Sequence, residues 1–411
     1  MRYIKENQTG SSIKNLCTWL FQLCVIADAI IGFDPRLYIV SKGCMLAFFI
    51  VMLFNIIWNL DLKIGSAFVL PVLFMLVTVA SCMWADYPNA TILKLTTQVQ
   101  LYVLFFFTYA LFTNETIDVR KYFDALYIAG IGMTLFALYR YGLTGIIKGM
   151  NEGKRIGRMI TNENVFGMVF SKAAIVAFFY YLRSKKAQIR LIHIFLIIIF
   201  TFFAFSSGSK KAFLMILAGI FGINILENGI KKSWKTIMVS VLIILCIFLI
   251  LQLPVFSTMN ERIMGFFTGE KDKSELQRTK MIDLSLQLFY EKPILGHGFN
   301  NFGTITGLGA YSHNNMTEVL VSTGLIGFIL FYFPYVNILK WGWKNGVMKK
   351  DYVVILFLIL SVIYLIFGYG MVEYYDKEYW MFLGVMVACV DNEKIMRKEE
   401  GINASLQTIP C

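Results

Sequence analysis

The sequence predicts an all-α polytopic membrane protein with about twelve transmembrane helices. Three observations lead there. Of its 411 residues 57% are apolar or aromatic and only 16% are charged, against about 25% charged in an ordinary soluble domain. The mean hydropathy is +0.64. The apolar residues fall in long runs, many near the roughly 20 residues a helix needs to cross hydrocarbon. A soluble fold must cover itself with polar atoms and has no use for this composition. Disorder is excluded as well, because disordered chains are poor in aromatics and this one has 37 Phe. Length alone would suggest two or three soluble domains; the hydropathy replaces them with one membrane domain.

The candidate spans are 15–33, 38–59, 65–84, 92–113, 122–143, 162–182, 189–206, 210–226, 234–253, 316–339, 352–370 and 378–391, the eighth and twelfth being short. The first run follows a polar stretch ending near Lys14, lacks a small-residue cleavage site, and reads as a retained helix rather than a signal peptide. No fixed-period repeat is evident. One stretch, 254–315, is long and polar. The expected organisation is nine helices within 1–253, an extracytoplasmic loop with an amphipathic helix at 254–315, three helices within 316–391, and a cytoplasmic tail at 392–411.

Orientation follows from Lys and Arg in the short loops. With the N-terminus in the cytoplasm, over half of the 38 basic residues fall on the cytoplasmic side, among them Lys121, Arg183, Lys186, Lys232, Lys349 and Arg397. An even helix count then puts both termini inside, and both are basic. The net charge of +12 would suggest nucleic acid for a soluble protein; here it is a matter of sidedness, and no nucleic-acid partner is expected. Six of the seven Cys lie in apolar runs, where free Cys packs as a small hydrophobe. Neither disulfides nor a metal site are predicted.

The bias fails in two outer segments. The loop 144–161 carries Lys148, Lys154, Arg155 and Arg158, and the tight turn 207–211 carries Lys210 and Lys211. Cations on the disfavoured face point to an anionic partner; the blander reading is contact with lipid headgroups.

The strongest motif runs from Arg278-Thr-Lys-Met-Ile-Asp through Glu291-Lys-Pro-Ile-Leu-Gly-His-Gly-Phe and Tyr311-Ser-His-Asn-Asn-Met-Thr-Glu to Ser322-Thr-Gly-Leu-Ile-Gly-Phe. The periodicity predicts a helix over 274–290, with Met281, Ile282, Ser285 and Phe289 on one face and Arg278 a turn before them. Such a helix could lie flat at the outer interface. Pro293, Gly296 and Gly298 end it in a turn. His313 and Asn314 then stand at the N-terminal end of helix 316–339, which suits an anion.

This combination resembles the O-antigen ligase/polymerase family of bacterial membrane glycosyltransferases. The resemblance spans roughly residues 278–328 in an Arg-headed helix, a Pro-Ile-x-Gly-x-Gly turn, a His-Asn pair and a Gly-Leu-Ile-Gly helix. Upstream, Arg155-Ile-Gly-Arg-Met-Ile-Thr-Asn162-Glu-Asn164 is similar to the family's Arg-x-x-Gly-x-x-x-Asn-Pro-Asn segment, and Ser209-Lys210 to its Ser-Arg. The chain departs from the pattern at Arg158, where Gly is usual, at Glu163, where Pro is usual, and at Lys210. A Lys holds phosphate only as a point charge, without the guanidinium fork.

The resemblance implies a fold like that of other lipid-carrier-dependent (type C) glycosyltransferases. It implies transfer of a glycan from undecaprenyl pyrophosphate to an acceptor hydroxyl at the outer face of the cytoplasmic (inner) membrane, without a cofactor and without a metal. Under it, His313 is the expected base, Arg278 and Arg155 the cations on the leaving diphosphate, and Arg158, Asn162, Asn164, Lys210, Asn314 and Glu318 further substrate-binding residues. Cations aimed at a pyrophosphate stabilise charge that develops in the transition state, and imidazole can take a proton near neutral pH. Without paired carboxylates to suggest a covalent intermediate, direct displacement with inversion is expected.

Three functions remain open: a polymerase of capsule, exopolysaccharide or O-antigen repeat units, which the family's abundance favours; a ligase passing finished glycan to a lipid, wall or protein acceptor; and a transporter or flippase. The family's polymerases usually work with a flippase and a chain-length regulator. Some polar residues carry two readings. Lys172 is either functional within the membrane or paired inside the bundle. Glu318 either orients His313 or complements its helix end. His297 is a second functional His or a turn residue. Asp28, Arg140 and His193 read as structural.

Overall fold

The computed structural model describes residues 2–59, 62–113, 117–229, 252–268 and 273–407, together with Met238 and Leu249. Among the described residues there are helices and no strands. The helices are α1 (Arg2–Ile31), α2 (Tyr38–Asn59), α3 (Ser66–Ala80), α4 (Pro88–Phe112), α5 (Arg120–Asn151), α6 (Glu163–Arg183), α7 (Ala187–Ser206), α8 (Lys210–Asn228), α9 (Ser257–Thr268), α10 (Lys273–Glu291), α11 (Asn315–Gly342), α12 (Tyr352–Phe367) and α13 (Lys377–Gln407), with short 3-10, π-helical and α-helical turns between some of them. Among the described residues, 10 helical stretches are long and apolar enough to cross a membrane, and each matches a span read from the sequence. The ninth expected span, 234–253, lies outside the described residues.

The twelfth expected span opens α13, and its short apolar run has a structural reason. Tyr379, Trp380, Met381, Phe382, Val385, Met386 and Ala388 are all completely buried, so this stretch is enclosed by protein around its whole circumference. It packs along α4, and its rings meet the large core near Phe74 and Phe331. Both ends of the run are acidic and both acids are satisfied. Asp391 accepts from the N–H groups of Ala67 (2.8 Å) and Phe68 (3.1 Å) and from the Tyr109 hydroxyl (2.9 Å), which caps the start of α3. Glu378 takes both a hydroxyl bond from Tyr364 (3.0 Å) and the ammonium of Lys172.

That ion pair places Lys172 in the second of its two sequence readings. Lys172 on α6 is 5% exposed, and breaking such a buried pair leaves a bare charge that costs about 3–5 kcal/mol. Lys172→Met is therefore expected to lower the unfolding temperature in detergent substantially, and Lys172→Met with Glu378→Gln to recover most of the loss. A single variant that melts like the parent protein would return Lys172 to a functional role. Asp28 likewise pairs with Lys377 at 2.8 Å, and Arg140 lies 3.6 Å from Asp34. His193 shares a 2.8 Å hydrogen bond with the Tyr127 hydroxyl.

Two long helices are broken at glycines. α5 is interrupted at Gly142 (φ 65°), so the expected loop 144–161 begins as helix and only opens after Asn151. α11 is interrupted at Gly324 (φ 62°, ψ −163°). A left-handed residue frees neighbouring backbone groups, and buried groups need partners. The turn after α10 supplies them: the Leu325 N–H donates to the Pro293 carbonyl (2.8 Å), and the His297 N–H donates to the Val321 carbonyl (2.7 Å). The fit is close, because a Cβ on Gly296 would lie 2.7 Å from the backbone nitrogens of Thr323 and Gly324.

α10 differs from expectation in its packed face. Met281 and Ser285 are buried as expected, but Leu284 and Leu288, not Ile282 and Phe289, complete the cluster with Phe302, Val321 and Ala310. The helix thus lies against α11, not merely along an interface. The sequence showed an apolar side but not which protein surface would select among its residues.

Candidate functional site

Three segments converge at the His313 end of the bundle. The first is the turn after α10. On one side it fills the break in α11; on the other it is tied to the α3–α4 connection. There the Trp84 indole donates to the Leu295 carbonyl (3.0 Å), the Asp86 N–H to the His297 carbonyl (3.1 Å), the Phe299 N–H to the Ser81 hydroxyl (3.0 Å), and the Thr91 hydroxyl to the Phe299 carbonyl (2.8 Å). His297 is buried within this clamp. One ring nitrogen meets the Asp86 carboxylate, which also takes Lys292, and the other faces the Leu288 carbonyl at 2.8 Å. His297 thus acts as the turn residue of the two sequence readings, and α10 is held in one position relative to α11.

The second segment is the start of α11. Asn314 is its N-cap, its side-chain oxygen accepting from Met316 (2.9 Å) and Thr317 (3.1 Å), as Asn caps do. Glu318, 1% exposed, accepts from the Ser312 N–H at 2.6 Å and draws the incoming loop against the helix. It makes no hydrogen bond to His313 among the described residues, so its place is that of a loop anchor. Between these two anchors His313 is held at φ 57°, a left-handed conformation uncommon for a residue with a side chain. Its ring is tilted 59° against Tyr311 with centroids 4.6 Å apart, and among the described residues its ring nitrogens have no hydrogen-bond partner. Burial, then the charges of Arg278 and Lys211, push its pKa below the ordinary imidazole value of 6.5. The ring is therefore neutral at pH 7 and able to accept a proton.

The cations that act on His313 come from two helices. Arg278, half-buried on α10, has no hydrogen bond or ion pair among the described residues. Lys211, in the first turn of α8, donates to the Gly370 carbonyl. Lys94 of α4, which is not among the charges acting on His313, stands 4.0 Å above the Tyr375 ring, a cation–π contact. Tyr375 neighbours Tyr311 at 6.1 Å. Glu373 lies behind this group, 3% exposed, with its Oε1 unpartnered. Burial and the nearby Asp376 push its carboxyl well above the usual carboxylate range, opposed in part by Lys211. Burial and the charge of Arg278 in turn pull the Lys211 ammonium down to about 7, opposed by Glu373.

The third segment holds Arg155. Its Nε donates to the Ser207 carbonyl (2.8 Å) and its Nη2 to the Asn164 side chain (2.9 Å). Asn164 in turn gives its N–H to Asn162, the N-cap of α6, at 2.8 Å. Arg155 thus braces the turn leading into α8. Within that turn Lys210 reaches Glu275 of α10 at 2.6 Å. Glu275 and Arg278 are three apart and share a helix face. Arg155, Asn162 and Asn164 are thus joined by hydrogen bonds that reach the turn before α8, and Lys210 ties that turn to α10, the helix that carries Arg278. Arg158 is exposed and makes no hydrogen bond or ion pair among the described residues.

Sequence reading named Lys211 as a cation against the topological bias but gave it no place at the site; Lys94, Tyr375 and Glu373 carried no local signal, because only the tertiary fold brings α4 and the α12–α13 connection to this place.

An all-helical membrane protein, among the described residues, with a half-buried histidine in the field of two cations is the class that fold and site define. Residues 194–332 match the family described as O-antigen ligase. The match covers about a third of the chain and makes this stretch similar to the O-antigen ligase/polymerase family, whose members are glycan-transferring enzymes. It covers Lys210, Lys211, Arg278, His313, Asn314 and Glu318, and stops short of Arg155, Asn162 and Asn164. No match was found among curated proteins.

Proposed function

We propose that the protein transfers a glycan from an undecaprenyl-pyrophosphate carrier to an acceptor hydroxyl at the outer face of the cytoplasmic membrane, joining repeat units of a capsular, exopolysaccharide or O-antigen chain. The observation that carries this reading is a half-buried His313 whose pKa is held down by burial and by the charge of Arg278, while Arg278 itself makes no hydrogen bond or ion pair among the described residues. A base in the field of a guanidinium suits a reaction in which a hydroxyl loses a proton while a diphosphate departs.

The acceptor oxygen attacks the anomeric carbon, the carbon–oxygen bond to the diphosphate breaks, and its electron pair leaves with the phosphate. The acceptor proton goes to His313. Arg278 and Arg155, with Arg158 and the lysine pair 210–211 as further cations, offset the charge that grows on the leaving group. Asn162, Asn164, Asn314 and Glu318 hold the loops that carry these side chains. Direct displacement inverts the anomeric centre, and the side-chain cations supply the charge that a metal would otherwise provide. The cation-rich loops at the other end of the bundle, with both termini, face the cytoplasm in this reading. A flippase that delivers the carrier and a regulator of chain length are its expected partners.

The family description favours one competing reading, transfer of finished glycan by a ligase. The same site serves both. Purified protein incubated with lipid-linked repeat units in detergent is expected to consume them and release the carrier diphosphate, which a transporter would not do. A chromosomal deletion separates the other two: single repeats accumulate if a polymerase is lost, whereas long chains remain on the carrier if a ligase is lost.

A further inference from the structure

We infer that Tyr311, Tyr375 and Lys94 form the subsite for the acceptor glycan, and that this glycan carries an anionic substituent which Lys94 binds. The inference rests on the repeat-unit-joining reading above and names the acceptor's chemistry and the surface that receives it. Tyr311 precedes His313 by two residues in the same loop, is 41% exposed, and has its ring 4.6 Å from the imidazole. An exposed aromatic ring presents an apolar face to the C–H side of a sugar ring, and with two side-chain torsions it loses little freedom on doing so. A sugar held there can bring a hydroxyl to the imidazole.

The surface continues away from the base. Tyr375, half-buried, lies 6.1 Å from Tyr311. It is fixed from behind by Phe299, with ring centroids 5.6 Å apart, and its hydroxyl donates to the Asn300 side-chain oxygen (3.3 Å). The Asn300 amide in turn donates to the Ala90 carbonyl of α4 (3.3 Å). Position and orientation are thus set before any ligand arrives, which lowers the cost of binding. Lys94, one turn further along α4, holds its ammonium 4.0 Å over the Tyr375 ring. Two rings therefore stand between Lys94 and His313, a spacing that lets successive sugars of one chain meet both.

Lys94 is only partly exposed and makes no hydrogen bond or ion pair among the described residues. Glu318 is not its counter-ion: that carboxylate accepts from the Ser312 N–H (2.6 Å) and forms no ion pair with Lys94. A ring face attracts an ammonium but fills none of its three donors. A carboxylate or phosphate on the glycan would fill them with charge-assisted hydrogen bonds.

The test uses the purified full-length protein in detergent and the oligosaccharide that accumulates on the carrier in a deletion strain, released from it by mild acid. Kd is measured by saturation-transfer NMR for the native oligosaccharide and for forms in which carboxylates are reduced to alcohols or phosphates removed; treating the two groups separately identifies the anion. The parent protein is expected to bind the native form about tenfold more tightly than the neutralised one, the weight of one charge-assisted contact. Lys94→Gln is expected to erase that preference by weakening the native form alone, and Lys94→Arg to keep it. Tyr311→Ala is expected to weaken both forms about tenfold, and Tyr311→Phe to bind like the parent, because the ring and not its hydroxyl makes the contact. An oligosaccharide without acidic groups, or a parent that binds both forms alike, overturns the role of Lys94 without any variant having to fold. Tyr311→Ala and Lys94→Gln proteins that change in unfolding temperature but not in Kd make the row structural and overturn the subsite. A parent that consumes lipid-linked units yet binds neither form overturns the subsite and leaves the transferase reading standing; a parent that consumes none removes the reading on which the subsite rests.

Discussion

His313→Ala is expected to lower the rate of glycan transfer by roughly 100- to 10,000-fold, the range for loss of a positioned general base. The expectation follows from where the ring lies. It is accessible, it has no hydrogen-bond partner among the described residues, and its pKa is held down by burial and by two cations. Its neighbours Ser312 and Asn314 are buried and supply the local bonds to Glu318 and to the helix cap. Removing the imidazole therefore leaves the loop and α11 in place. The measurement is the initial rate of lipid-linked glycan consumption, alongside unfolding temperature and carrier binding. A variant that folds, binds and turns over at the parent rate would remove His313 from the reaction.

Arg278→Gln is expected to cost about 100- to 1,000-fold in kcat, the magnitude seen when a group aimed at developing charge is removed. It also carries a pH signature. A general base works when deprotonated, so activity falls as pH drops through the pKa of His313. Burial comes first among the causes that lower this pKa, and Arg278 second. Without the guanidinium charge the pKa rises, and the acid limb of the kcat/KM profile moves to higher pH. An acid limb unchanged in Arg278→Gln would mean that the limb belongs to a different group. A loss of rate without any shift would separate the arginine from the histidine.

Most of the helices were legible because hydrocarbon-length apolar runs admit few alternatives. The turn at 293–298 and the start of α11 were legible because Pro, Gly and the Asn cap act locally. What could not be read depended on distant partners. The break at Gly324 is stable because the turn at 293–297 satisfies its backbone, and no local pattern announces that. The apolar run at 378–391 seemed marginal because it is short; burial on all sides, with Lys172 and the start of α3 taking its acidic ends, supplies what length does not. At the site, His313 and Arg278 were found from their motif, and the structure gives them a common electrostatic field. That Lys210 meets Glu275 of α10 while Lys211 meets Gly370 after α12 could be read only from the tertiary fold.

The left-handed backbone at position 313 sets two demands against each other. A side chain in that conformation carries steric strain of about 1–2 kcal/mol, and glycine would relieve it while deleting the imidazole. Selection for robustness alone would thus drive the position toward glycine, and selection for turnover alone toward histidine. A library sorted only on thermal tolerance should accumulate inactive glycine variants at this position, so any effort to harden the protein has to hold this residue fixed.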